Sequence, residues 1–203
     1  MKLLQAIVLG VWALVQSQVL FAFSMERYVD GVHYTSFEKA EKVPSTVVEF
    51  FSLGCPHCAH LEPALDKWLA TKPANVKFDR IPATWNAHFE FLGAVFFALQ
   101  ATGQDKKLVP ALFDYIHVQK KKIENINDAV AFVKAQGGDA EKFRTAFNSS
   151  DRKAELEKSE SLFMAYQLRG VPAILVNGQY TVSESQAGSE EELFEIVDFL
   201  LTK

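Results

Sequence analysis

Thr46-Val47-Val48-Glu49-Phe50-Phe51-Ser52, followed after Leu53-Gly54 by Cys55-Pro56-His57-Cys58, is the stretch on which the fold turns. From Val47 to Ser52 it is nearly all apolar, as a strand buried on both faces must be. A helix-like run, Ala59 to Ala70, follows the second cysteine. Cys55 and Cys58 are the only cysteines in the chain. A Cys-x-x-Cys at a strand-to-helix junction is the layout of a thiol–disulfide redox centre.

Helix geometry then separates the two sulfurs. With Cys55 as N-cap, Pro56 falls at the first helical position, where a missing N–H and a fixed φ cost nothing. Cys58 lies one turn along the same face, so the sulfurs can meet. Cys55 faces the free N–H groups and the positive end of the helix, which favour a thiolate. It is the expected exposed nucleophile, with Cys58 the shielded resolving thiol. A Cys55 pKa roughly 2.5 units below pH 7 would favour the folded thiolate by about 3.4 kcal/mol. That shifts the potential by roughly 70 mV in the oxidising direction. His57, inside the loop, is placed to add a hydrogen bond or partial positive charge.

Pro-His between the cysteines at a helix start argues against a purely structural disulfide. Zinc is disfavoured too: Cys58 and His60 diverge on a helix, and no second Cys/His pair closes a tetrahedral site. No metal and no cofactor are expected.

The N-terminus bears on compartment. Lys2 precedes an uncharged, largely apolar run, Leu3 to Val15, then Gln16-Ser17-Gln18 and Val19 to Ser24. Ala22 and Ser24 are the small residues of a cleavage after Ser24, so residues 1–24 read as a secretory signal, with an uncleaved anchor as the alternative. Export fits the cysteine usage, because an oxidising compartment permits a working disulfide. The segment carries one of the 21 basic residues and none of the 25 acidic ones, leaving a formal charge of −5 that argues against nucleic acid as a partner.

Along the rest of the chain, Tyr28 to Phe37 reads as extended, with a turn signal at Asp30-Gly31. A helix is expected from Pro56 to Ala70, kinked at Pro63, and a second core strand from Val76 to Ile81. Helical patterns follow over Phe89–Thr102, Lys106–Gln119, Asp128–Gln136, Ala140–Phe147 and Arg152–Leu168, broken at Gly137-Gly138. Strands Ala173–Val176 and Gln179–Val182 flank an Asn177-Gly178 hairpin turn. Ser189 and Glu192 form a capping box for a last helix ending near Leu201. Strand–helix–strand, a helical block, then hairpin–helix is the content of an α/β layer fold with a helical subdomain laid over one end.

Glu-Phe-Phe-Ser (49–52), Cys-Pro-His-Cys (55–58), the helical insertion, then Leu-Arg-Gly-Val-Pro-Ala (168–173) and Val-Asn-Gly (176–178) resemble the DsbA type of periplasmic thiol:disulfide oxidoreductase. The resemblance runs through nearly the whole chain after the leader. It implies a thioredoxin-like fold in two parts, 25–84 and 169–203, interrupted by an all-helical subdomain, 85–168. It also implies a monomer that oxidises exported proteins with free thiols and is reoxidised by a quinone-linked membrane partner. By that likeness Cys55 is the nucleophile and Cys58 its partner, while Pro56 and His57 tune the potential. Val171 and Pro172, with Pro172 cis, face the redox pair and the substrate. Glu49 is the buried acid behind Cys58, unless it is held in a structural ion pair with Arg80.

The chain departs from the family pattern at Gly54, where an aromatic is common, at Ala59, and at Arg80, where a lysine is expected. These changes bear on substrate range and on the fit to a reoxidising partner. The alternatives to a disulfide donor are a reductase or isomerase using the same centre, a non-catalytic periplasmic chaperone, and a metal carrier.

Overall fold

The computed structural model describes residues 26–203, so the expected leader at 1–24 lies outside the described residues. After β1 (Thr35–Ser36) and β2 (Thr46–Phe51) come α1 (Pro56–Thr71), β3 (Lys77–Pro82), α2 (Ala87–Ala101) and α3 (Asp105–Phe113). A π-helical turn (Asp114–Val118), α4 (Ile126–Ala135), α5 (Ala140–Phe147) and α6 (Ser150–Ala165) precede β4 (Ala173–Val176) and β5 (Tyr180–Ser183). The chain closes with α7 (Glu184–Ala187) and α8 (Glu190–Leu201).

The strands form one mixed sheet in the order β1-β5-β4-β2-β3. β2 runs parallel to β3 and antiparallel to β4, so a strand from the first part of the chain pairs with one from the last. Because side chains alternate along a strand, Val47 belongs on one face to the buried cluster that holds Leu61, Leu65 and Trp68 of α1 and Ile196 of α8. Phe50, on the other, meets Phe163 of α6 edge-to-face at 4.9 Å. At the strand's end Phe51 reaches Phe96 of α2, again at 4.9 Å. That contact joins the sheet to the helical block, whose centre is α2: Leu92 to Leu99 are all buried, and the helix packs against α3, α5 and α6. A helix apolar all round is buried all round.

The β4–β5 turn places both Asn177 (φ 52°) and Gly178 (φ 71°) in the left-handed region. There the Asn-Gly pair costs least. A Cβ on Gly178 would also stand 2.5 Å from the Glu41 carbonyl oxygen. Asn177 ties the start of β2 to α8: its Oδ1 accepts the Ser45 N–H at 2.9 Å, and its Nδ2 donates to the Leu200 carbonyl at 3.1 Å.

Several expectations are corrected. The extended stretch Tyr28–Phe37 holds only the two-residue β1; Gly31, at φ 78°, turns the chain before it. The single helix expected over Lys106–Gln119 divides, because the backbone widens into the π turn at Asp114. α6 stops at Ala165 rather than Leu168, since Gln167 turns left-handed (φ 52°) and Leu168 N–H bonds back to the Phe163 carbonyl. The helix expected from Pro56 to Ala70 is present as Pro56–Thr71, with Pro63 inside it. Ser189 accepts the Glu192 N–H at 3.1 Å, while a reciprocal capping box forms at Asn125 and Asp128.

Candidate active site

The turn between β2 and α1 is tightly held. Cys55 N–H donates to the Ser52 carbonyl (3.0 Å), and Gly54 N–H donates to Ser52 Oγ (3.1 Å). Cys55 is the N-cap of α1, with Pro56 in the first turn, and its sulfur accepts the Cys58 N–H at 3.4 Å. One expectation needs correcting: Cys55 is more open than Cys58 but only 7% exposed, against 0%. The cover comes from the loop before β4. The Val171–Pro172 peptide is cis, the form the resemblance implies. The Cys55 thiol donates to the Val171 carbonyl at 3.4 Å.

The two sulfurs are electrostatically opposite. The hydrogen bond from the Cys58 thiol, then the Cys58 and His57 backbone N–H groups, and lastly the charge of His57, bring the Cys55 thiol down to about 6 against the opposition of burial. Burial, the hydrogen bond given to Cys55 and the negative charges of Cys55 and Glu49 push Cys58 far above the ordinary thiol range. A Cys55 value of about 6 is less extreme than the sequence argument supposed. At pH 7 it favours the folded thiolate by about 1.4 kcal/mol, or roughly 30 mV.

Beneath the pair lies a charged trio. Fully buried Glu49 accepts from Arg80 Nε at 2.7 Å, and Arg80 Nη2 reaches Glu62 on α1. One guanidinium thus serves two carboxylates, and Glu49 Oε1 and Glu62 Oε2 are each buried without a hydrogen-bond partner. Burial pushes both acids up, Glu62 to about 7, with Arg80 pulling the other way. Two ionised carboxylates here would bury a surplus negative charge, so a proton is readily held in the trio. Arg80 therefore pairs with Glu49 while leaving one of its oxygens free.

His57 stays exposed, with Nδ1 3.8 Å from Glu184, and His60 Nε2 lies 3.2 Å from Glu190. Glu49, Cys58, Cys55 and the Val171-Pro172 loop are thus brought together, and His57 flanks them at the surface. A groove of about 750 Å³ runs from His57 under that loop, between Phe37, Tyr166, Leu168 and Glu184. Gly54 leaves room for aromatic surface from another source. A Cβ there would stand 3.0 Å from Leu92 Cδ1 and 3.2 Å from Phe89 Cε1, so α2 supplies the ring beside the cysteine loop.

Sequence reasoning passed over Glu62 and His117. Glu62 had a signal: it sits one turn beyond Cys58, a lone acid in the buried stripe Cys58, Leu61, Glu62, Leu65. His117, whose Nε2 lies 2.7 Å from the Leu53 carbonyl oxygen, gave no such sign.

The chain matches the DSBA-like thioredoxin domain family over residues 77–193. The thiol:disulfide interchange protein DsbA of Pseudomonas aeruginosa is 35% identical over 190 residues, covering 90% of this chain and 88% of that one. A crystal structure of Pseudomonas aeruginosa DsbA superposes with a TM-score of 0.82 at 35% identity, over 88% of this chain and 95% of that one. A Proteus mirabilis DsbA variant, solved in complex with a non-covalently bound peptide, superposes with a TM-score of 0.71 at 25% identity, over 87% and 99% of the two chains. Likeness of this extent, spanning the sheet and the helical block alike, makes the chain a member of the DsbA family of thioredoxin-fold thiol:disulfide oxidoreductases.

Proposed function

We propose that this protein is a periplasmic disulfide donor, passing the Cys55–Cys58 disulfide to exported proteins that carry free thiols. The observation that carries the reading is the contrast within the pair. Cys55 is held to about 6 while Cys58 is pushed far up, so attack at Cys55 and retention of a proton at Cys58 are both favoured. A substrate thiolate attacks Cys55 Sγ, the Cys55–Cys58 bond breaks, and Cys58 leaves with the electron pair. Its high proton affinity calls for a proton at once, and Glu49, buried behind it with a raised pKa and a free oxygen, is the group proposed to supply it. A second substrate thiolate attacks the substrate sulfur of the mixed disulfide and expels Cys55 as its stabilised thiolate. The substrate loses two electrons and the dithiol gains them.

Val171 and Pro172, with the groove beneath them, are proposed to receive the extended chain around the substrate cysteine, and Pro56 and His57 to tune the pair. The relative with a bound peptide supports that reading. The leader-like residues 1–24 support export. Among the described residues no helix is long and apolar enough to cross a membrane. Return of the dithiol to the disulfide is assigned to a quinone-linked membrane partner, and the working unit to a monomer in which residues 85–168 cap the thioredoxin-like parts.

The moderate depression of Cys55 favours a second reading, since thioredoxin's own nucleophile lies at about 7: the same centre run as a reductase or isomerase. Equilibration of the pair with glutathione decides. A potential well above about −270 mV establishes a donor, and a thioredoxin-like value establishes a reductase. Cys55→Ser abolishes substrate oxidation and Cys58→Ser accumulates mixed disulfides; full oxidase activity in Cys55→Ser refutes the mechanism.

A further inference from the structure

We propose that His117 is a positioning residue for the nucleophile, acting from the helical block through a single peptide group. The inference rests on Cys55 being the attacked sulfur. The peptide between Leu53 and Gly54 lies in the turn that carries Cys55 to the N-terminus of α1, and it is pinned at both ends. Its N–H donates to Ser52 Oγ at 3.1 Å, and its oxygen lies 2.7 Å from His117 Nε2. A carbonyl oxygen only accepts, so Nε2 carries the proton. Leu53 and Ser52 are 1% and 2% exposed. Among the described residues His117 is the donor to that oxygen and no backbone N–H takes its place. Without His117 the carbonyl is a buried acceptor left unpaired, which costs more than the bond itself contributes.

The π turn is what brings the ring there. It occupies Asp114–Val118, closing through Gln119 N–H on the Asp114 carbonyl at 2.9 Å. A widened turn shifts the face on which the following residues emerge, a device that recurs at functional sites. Here it sets His117 over the cysteine turn while Phe113, one turn earlier, stays in the core of the helical block and packs beside the imidazole at a centroid distance of 6.0 Å. Rotation of the Leu53–Gly54 peptide would swing the Cys55 backbone away from the N-cap geometry that aims its sulfur at the Cys58 N–H. Holding that plane therefore holds the thiolate in place, and the reduced form depends on it more than the disulfide does, because the disulfide bond itself restrains both sulfurs.

The test is His117→Phe, which keeps a ring of similar volume beside Phe113 but removes the donor, against His117→Gln, which restores an N–H at similar reach. Each variant is titrated by thiolate absorbance and equilibrated with glutathione, with thermal melting as the check on folding. His117→Phe is expected to raise the Cys55 pKa by roughly 0.7 unit, as loss of one hydrogen bond implies, and to lower the equilibrium constant for reduction of the disulfide about three- to fivefold. His117→Gln is expected to recover at least half of both shifts. A folded His117→Phe protein with a lowered melting temperature but a pKa and equilibrium constant indistinguishable from the parent's refutes positioning and leaves His117 a packing residue. Should His117→Phe not fold, His117→Gln and Ser52→Ala carry the test. Ser52→Ala frees the other end of the same peptide and must raise the Cys55 pKa; an unchanged value there overturns the proposal. The parent protein is the separate control: a parent Cys55 with an ordinary thiol pKa would defeat the disulfide-donor reading instead.

Discussion

Cys55 and Val171 meet across the active site, sulfur to carbonyl oxygen at 3.4 Å, although 116 residues separate them in the chain. The contact depends on a proton, because a thiol donates to a carbonyl and a thiolate cannot. Ionisation of Cys55 therefore releases the Val171 oxygen. The ¹³C shift of the Val171 carbonyl in the reduced protein is expected to titrate with a midpoint near the Cys55 value of about 6, and to be flat in Cys55→Ala. A flat profile in the parent protein would remove the coupling.

The same ionisation governs the potential. The folded Cys55 pKa lies below its unfolded value, so its stabilisation of the dithiol is full above the unfolded pKa and is lost as pH falls through about 6. Reduction of the disulfide takes up two protons below that point and one above it. The potential should then fall by about 59 mV per pH unit in acid and about 30 mV per unit above the break. Measurement against glutathione between pH 4.5 and 8 locates the break, and a single slope throughout would contradict the depressed pKa.

Glu62 makes an opposite prediction for stability. Its folded pKa, about 7, is raised above the ordinary carboxylate value. Its contribution is therefore present at pH 4 and is lost as pH rises through about 7. Unfolding by urea should show the parent protein losing up to about 3 kcal/mol between pH 5 and pH 8 from this group. In Glu62→Gln that decline should flatten, because Arg80 keeps Glu49 as its partner and the surplus buried charge is gone. Parallel pH profiles for the two proteins would show that Glu62 is not the group responsible.

Glu49→Gln separates proton transfer from scaffold. The amide keeps a hydrogen-bond acceptor for Arg80 and loses the transferable proton. Turnover should slow by at least about tenfold, in keeping with general acid–base contributions, while the glutathione equilibrium moves less than twofold. An unchanged rate would return Glu49 to a structural partner of Arg80.

Gly54 offers a packing test. Adding a ring at this position sets it against Leu92 and Phe89, which already stand 3.0 and 3.2 Å from where its Cβ would be. Gly54→Phe should cost roughly 1–3 kcal/mol by overpacking, measured by denaturant unfolding of the oxidised protein. A cost near zero would mean that Phe89 gives way freely.

Much of this was legible in the sequence because it is written locally. The apolar run Val47–Ser52, the N-cap position of Cys55 and the Asn177-Gly178 turn each state their conformation within a few residues, whereas the cis form of Pro172 is implied by the family resemblance and not by its neighbours. What was not legible depends on partners distant in sequence. Nothing in Asp114–Val118 marks a π turn, since its residues suit an α-helix equally; the tertiary fit of His117 to Leu53 accompanies the change. Arg80 could be paired with Glu49 on paper, and Glu62 stands out as a lone acid in a buried stripe, but that the two acids share one guanidinium becomes visible only once α1 is packed on the sheet. The covering of Cys55 was missed for the same reason. The helix end alone exposes it, and the loop that hides it leads into β4, a neighbour of β2 in the sheet but more than a hundred residues away in the chain.

The sheet order β1-β5-β4-β2-β3 has a consequence for a chain made from its N-terminus onward. β2 and β3 are complete by residue 82, whereas β4, which fills the other side of β2, begins at Ala173. Until β4 is made, β2 lacks a partner on that edge, and Cys55 lacks the Val171 loop that covers it. Residues 171–176 therefore close the open edge of the sheet and cover Cys55 in a single step.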